Sequence, residues 1–223
     1  MKVLAFPFAG GNKYSFNFLK SYLNPKIRLE VFEYAGRGNR VSEKPIDSLD
    51  SIVNDLWPNT LNFIKEEPYI IFGHSMGGLV AFLMCHKIQK NGLKKPSKLI
   101  ISGRKAPQTK REEKIWNYPS EQFWKELINL GGIPKEIQNE ATLRDFFEPI
   151  IRADFKAVEE FFFQRKDLLD IPIEVLYGDK ECKNKKDFLD WSQETTNEVN
   201  FYIFKGNHFF IHDYAQDIAN HFI

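Results

Sequence analysis

Ser75 lies in Gly73-His74-Ser75-Met76-Gly77, which has the G-x-S-x-G spacing of a nucleophile elbow. A serine hydroxyl in that setting can attack an acyl carbon. The glycines have a physical reason: the serine backbone is held in a strained strand-to-helix turn, and side chains two residues before and after it would collide with the neighbouring strand and helix. A hydroxyl is a poor nucleophile at neutral pH, so a base must take its proton during attack and return it to the leaving group. There are five histidines. His74 abuts the elbow but points away from Ser75 by strand alternation, His86 lies on the buried helix, and His212 and His221 lie on the final helix. Only His208 falls in a loop just past the last strand, where the order serine, acid, histidine puts the base. A carboxylate must then hold the imidazole tautomer, and the loop after the penultimate strand offers both Asp179 and Glu181. Backbone amides of Met76 and of Phe8, or less favourably Ala9, are the expected oxyanion donors.

These groups need a scaffold, and the hydrophobic pattern supplies one. Apolar strands are expected at Val3 to Phe8, Arg28 to Tyr34, Tyr69 to Gly73, Lys98 to Ser102, Ile173 to Tyr177 and Val199 to Phe204. Helical spacing runs through Tyr14 to Leu23, from Ser48 to Ile64 despite Pro58, and over Leu79 to Gln89, Asp187 to Thr195 and His212 to Phe222. Each crossover through a helix implies a mostly parallel sheet flanked by helices, with the active loops at the carboxyl ends of the strands. The alternation stops between Ala106 and about Leu168, where Glu121 to Leu130 and Leu143 to Phe163 read as an inserted helical lid. Phe146, Phe147, Phe155 and Phe161 to Phe163 could line an acyl tunnel there or merely pack the lid onto its base.

Composition narrows the function classes. The 223 residues suit one α/β domain spanning 1–223. A net charge of +1 leaves no basic excess for nucleic acid. The short apolar start, Met1 to Phe8, contains Pro7 and reads as a first strand rather than a signal peptide, and no apolar run reaches membrane-span length. Cys85 and Cys182 form no disulfide framework or metal set, which fits a reducing cytoplasm. The expectation is a cytoplasmic monomer with no metal, cofactor, nucleic acid or membrane partner.

Several separated motifs together resemble the type II thioesterases that accompany nonribosomal peptide and polyketide synthases. They are Phe6-Pro7-Phe8-Ala9-Gly10-Gly11, then Gly36-Arg37-Gly38-Asn39-Arg40 with Ala35 in place of the family's usual proline, and the elbow through Gly78. Ser102 to Pro107, Leu130 to Pro134, Pro149 to Phe155 and Gly206 to Phe210 follow in the family's order over nearly the whole chain. The resemblance implies an α/β-hydrolase fold and hydrolysis of acyl groups from the phosphopantetheine arm of acyl or peptidyl carrier domains. It also implies Glu181 as the acid over Asp179, because Glu181 stands where the family usually has aspartate. Arg37, Arg40, Arg104, Lys105, Lys110 and Arg111 are the expected basic rim for an acidic carrier domain. Two other functions compete: a medium-chain fatty acyl carrier thioesterase with the same machinery, and a carrier-docking module with impaired chemistry.

Overall fold

The computed structural model describes residues 1–65, 68–109, 113–164, 167–181 and 184–223. Its centre is a six-stranded sheet built from β1 (Lys2–Phe6), β2 (Arg28–Val31), β3 (Tyr69–His74), β4 (Leu99–Ser102), β5 (Ile173–Gly178) and β6 (Val199–Phe204). The order is β2-β1-β3-β4-β5-β6, and every pairing is parallel. The chain therefore winds one way from β1 to β2 and the other way from β3 onward. The reversal falls between β1 and β3, where an open parallel sheet leaves a crevice at its carboxyl edge. Phe6 pairs with Gly73 at that edge, so the loop after β1 and the turn after β3 leave the sheet side by side.

Helices cover both faces because the central strands are apolar on both. On one face α1 (Leu49–Phe63) and α2 (Met76–Lys90) pack with Leu4, Tyr69, Ile71, Ile101 and Val175, joined by Phe188 and Trp191. On the other face a short 3-10 stretch (Asn17–Tyr22) and α7 (Ala215–Asn220) cover Val3, Ile70, Phe72 and Ile100 with Phe16, Leu19, Ile218 and Phe222. The Ser48 hydroxyl caps α1 by accepting from Ser51 N–H at 3.2 Å.

Several boundaries differ from the sequence reading for identifiable reasons. β1 ends at Phe6, since Pro7 has no N–H to continue the ladder. β2 ends at Val31, after which Phe32 N–H makes a last bond to Ala5 O at 3.0 Å and the Glu33 carboxylate accepts from Lys13 N–H and Asn39 N–H. The helix expected over 14–23 is only a 3-10 turn, and the one over 187–195 is split into α6 (Lys186–Leu189) and a 3-10 turn. The final helix is likewise shortened to α7 behind a 3-10 turn at Phe210–His212.

The lid contains α3 (Ser120–Leu130), α4 (Lys135–Asn139) and α5 (Ala141–Glu159), the last running through Pro149. The sequence reading did not separate α4, which Pro134 opens. A small apolar cluster of Phe123, Trp124, Leu127 and Ile151 joins these helices.

Candidate active site

Ser75 follows β3 and caps α2 with φ 56° and ψ −118°; among the described residues it is the one non-glycine residue with positive φ. That backbone is strained, and the glycines make it attainable. A Cβ on Gly73 would lie 2.1 Å from Gly77 O, and one on Gly77 would lie 1.9 Å from Phe6 O. Ser75 N–H donates to Ser102 O at 2.8 Å, tying the turn to the end of β4.

Three side chains from three loops meet in a line. His208 Nε2 lies 2.8 Å from Ser75 Oγ, and His208 Nδ1 lies 2.5 Å from Glu181 Oε1. Glu181 ends the 3-10 turn after β5, and its Oε2 accepts from Gly178 N–H at 2.9 Å, which orients the carboxylate toward the imidazole. Asp179 faces elsewhere: its Oδ1 accepts from Gly206 N–H at 2.9 Å, while Lys180 N–H donates to Gly206 O at 3.0 Å. Asp179 thus staples the acid-bearing loop to the loop carrying the histidine. With Nδ1–H held by Glu181, the free Nε2 lone pair faces the serine and can accept its proton.

His74 does not bond Ser75, but it is nearer the centre than strand alternation suggested. Its ring is fully buried 5.0 Å from the His208 ring, with Nδ1 2.9 Å from Ser102 Oγ. Burial first, and then the neighbouring His208 and His212, push its pKa well below the ordinary histidine value. A neutral His74 spares His208 a competing charge during proton transfer. Met76 opens α2, and Phe8 lies in the loop after β1, held edge-on against His74 and Phe209. Among the described residues neither the Phe8 nor the Met76 N–H donates to a protein acceptor, so both are free to hold a developing oxyanion. Ala9 shares the turn closed by Gly11 N–H donating to Phe8 O at 2.8 Å.

Other expectations require correction. Arg37 is not on a basic rim: only 4% exposed, it makes a two-pronged ion pair with Asp154 at 2.6 and 2.7 Å. Arg40 is half-buried and engaged by Glu43 and Asp55, and Lys105 pairs with Asp187. Arg104 is partly buried, and Lys110 and Arg111 lie outside the described residues. The phenylalanines of the suggested tunnel also divide. Phe147 and Phe155 pack inside the lid, and Phe146 is half exposed. Phe161 to Phe163 fall beyond the end of α5 and line a cavity of about 510 Å³ with Leu49, Phe82 and Ala157. That lining includes neither Ser75 nor His208.

The sequence reading includes Asp154 in the Pro149 to Phe155 motif but gives it no role of its own. A signal existed: Asp154 follows Ile150 and Ile151 by four and three residues and precedes Ala157 by three, all of them buried. A lone carboxylate on the apolar stripe of a helix implies a buried partner.

A profile described as the thioesterase domain matches residues 1–223. Gramicidin S biosynthesis protein GrsT of Aneurinibacillus migulanus is 27% identical over 215 residues, covering 96% of this chain and 84% of its own length. Among solved structures, ClbQ from the colibactin NRPS/PKS pathway superimposes with a TM-score of 0.91 at 29% identity, over 99% of this chain and 94% of that one. The type II thioesterase BorB from the borrelidin biosynthetic cluster gives 0.89 at 27% identity, over 98% and 89%. The architecture is the α/β-hydrolase fold. No helix among the described residues is long and apolar enough to cross a membrane.

Proposed function

Because the chain belongs to the thioesterase-domain family, we propose that it hydrolyses acyl groups from the phosphopantetheine arm of carrier domains in a nonribosomal peptide or polyketide synthase, in an editing role. The observation that carries this reading is the unbroken chain from Glu181 through His208 to Ser75, beside two undirected amides. Ser75 Oγ attacks the thioester carbonyl while His208 Nε2 takes the hydroxyl proton and Glu181 holds the resulting imidazolium. The carbonyl oxygen, now carrying the negative charge, is held by the Phe8 and Met76 amides. Collapse breaks the carbon–sulfur bond, and the phosphopantetheine sulfur leaves with the proton from His208. Water then repeats the sequence on the Ser75 ester, giving the free acid and restoring the serine. No metal or cofactor takes part in these steps.

The relatives' pathways support carrier domains as the partner. The test is release of radiolabelled acyl groups from a loaded carrier protein over a chain-length series. Wild type should clear short groups fastest, and Ser75→Ala should clear none. Absence of release from any loaded carrier, or preference for medium-length fatty acyl groups, would contradict the editing reading.

A further inference from the structure

The Asp154 side chain is fully buried on the lid helix α5, yet its carboxylate hydrogen bonds run out of the lid, to Gly10 and Arg37. Its Oδ2 accepts from Gly10 N–H at 2.7 Å and from Arg37 Nη1 at 2.6 Å, and its Oδ1 accepts from Arg37 Nη2 at 2.7 Å. Arg37 Nη1 also donates to Gly11 O at 3.2 Å, and the guanidinium lies over the Tyr34 ring at 5.2 Å. Tyr34 is buried and donates its hydroxyl to Pro7 O at 2.9 Å. Burial, reinforced by Asp154, raises the Tyr34 pKa well above the ordinary phenol value, so the hydroxyl remains a donor. The Pro7 carbonyl and the Phe8 N–H are opposite ends of one planar trans peptide. Holding the carbonyl on Tyr34 therefore aims the N–H the other way. The helix sits close on the same turn, since a Cβ built on Gly10 would lie 3.1 Å from Ile151 Cγ1.

Stability alone does not account for this arrangement, because well-packed apolar residues in place of a buried ion pair are often neutral or stabilising. We propose that Asp154 and Arg37 are positioning residues for the oxyanion hole, acting through Tyr34 and Gly10 to fix the Pro7–Phe8 peptide. The lid helix is then part of the oxyanion apparatus, and the hole is complete only while α5 is seated on the loop. This rests on the reading of Phe8 N–H as an oxyanion donor.

The experiment follows kcat and KM on a short soluble acyl thioester, with melting temperature recorded for each variant. Tyr34→Phe removes one hydroxyl, and the double variant Arg37→Met, Asp154→Leu replaces the ion pair by apolar volume. Both should lose about 10²-fold in kcat, the cost typical of a lost oxyanion donor, with KM within a few-fold of wild type. Melting temperature should fall by only a few degrees, because Pro7 O in Tyr34→Phe, and Gly10 N–H and Gly11 O in the double variant, lose their partners. Phe8→Pro, which lacks the N–H, is compared with Phe8→Ala, which keeps it. In a Phe8→Pro background, neither Tyr34→Phe nor the double variant should lower kcat further. Wild-type kcat in Tyr34→Phe and the double variant, or full additivity with Phe8→Pro, overturns the positioning role. If Phe8→Pro is no slower than Phe8→Ala, the donor reading itself falls and the positioning role with it.

Discussion

At the carboxyl edge of the sheet, atoms are placed by backbone with little freedom to go elsewhere, whereas in the lid they are placed by side chains reaching across it. The elbow is confined by Gly73 against Gly77 and by Gly77 against Phe6, contacts that a single methyl would abolish. The lid is joined instead through Glu148, which accepts from Ser120 Oγ at 2.5 Å, Trp124 Nε1 at 2.6 Å and Arg152 Nε at 2.8 Å. Arg152 in turn donates to Trp116 O at 2.5 Å. A backbone-set site changes in all-or-none fashion, while a side-chain-set lid can be loosened one contact at a time. The Asp154 cluster is where the second kind of structure reaches the first.

The sharpest way to break this contrast is at the acid loop, where two carboxylates two residues apart have different tasks. Glu181→Gln should lower kcat by about 10⁴-fold, as loss of a triad acid does elsewhere, with the circular dichroism spectrum unchanged. Asp179→Asn loses only a staple to Gly206 and should cost less than about tenfold. The reverse ranking would mean that the loop rearranges on binding substrate.

Truncations in the two regions should also separate. Phe72 is fully buried against Phe16 and Phe222 under the sheet, so Phe72→Ala should destabilise by about 3–5 kcal/mol in urea unfolding. Phe147 is only partly buried in the lid, and Phe147→Ala should cost about 1–2 kcal/mol. Equal losses would show that lid and core share one packing density.

Acid distinguishes the regions by window. His74 has a folded pKa below its ordinary 6.5, so below about pH 6.5 the unfolded chain takes up a proton that the native state refuses. Stability should fall there by up to about 1.4 kcal/mol per pH unit from this group. Glu148 has a folded pKa below its ordinary 4.5: burial opposes that shift, but the Ser120, Arg152 and Trp124 bonds outweigh it. Its stabilisation is present above about pH 4.5 and is lost as pH falls through the lower folded value. Urea midpoints between pH 7.5 and 5 should therefore decline in wild type and decline less steeply in His74→Asn, where His212, also lowered by burial, still contributes. An equally steep decline in His74→Asn would remove His74 as the cause.

Much of this was legible in the chain because it is local. The six strands, the elbow and the order Ser75, acid, His208 follow from runs of a few residues and their sequence. What stayed hidden depends on long-range pairing. Arg37 in a glycine-rich loop has the same local surroundings whether it faces solvent or a carboxylate 117 residues later. The short helices near the carboxyl terminus were overextended because apolar spacing continues where 3-10 turns take over. The lid phenylalanines were ambiguous for a related reason: helical spacing shows that a side chain is on the apolar face but not what lies opposite.

The most direct test of the mechanism is the mass of the Ser75-containing peptide after mixing with a short-chain acyl carrier and quenching rapidly in acid. In wild type that peptide should gain the mass of the acyl group before free acid accumulates, and the gain should be absent in Ser75→Ala and strongly slowed in His208→Ala. Free acid appearing at the wild-type rate from Ser75→Ala, or with no acyl group ever carried on Ser75, would contradict the mechanism.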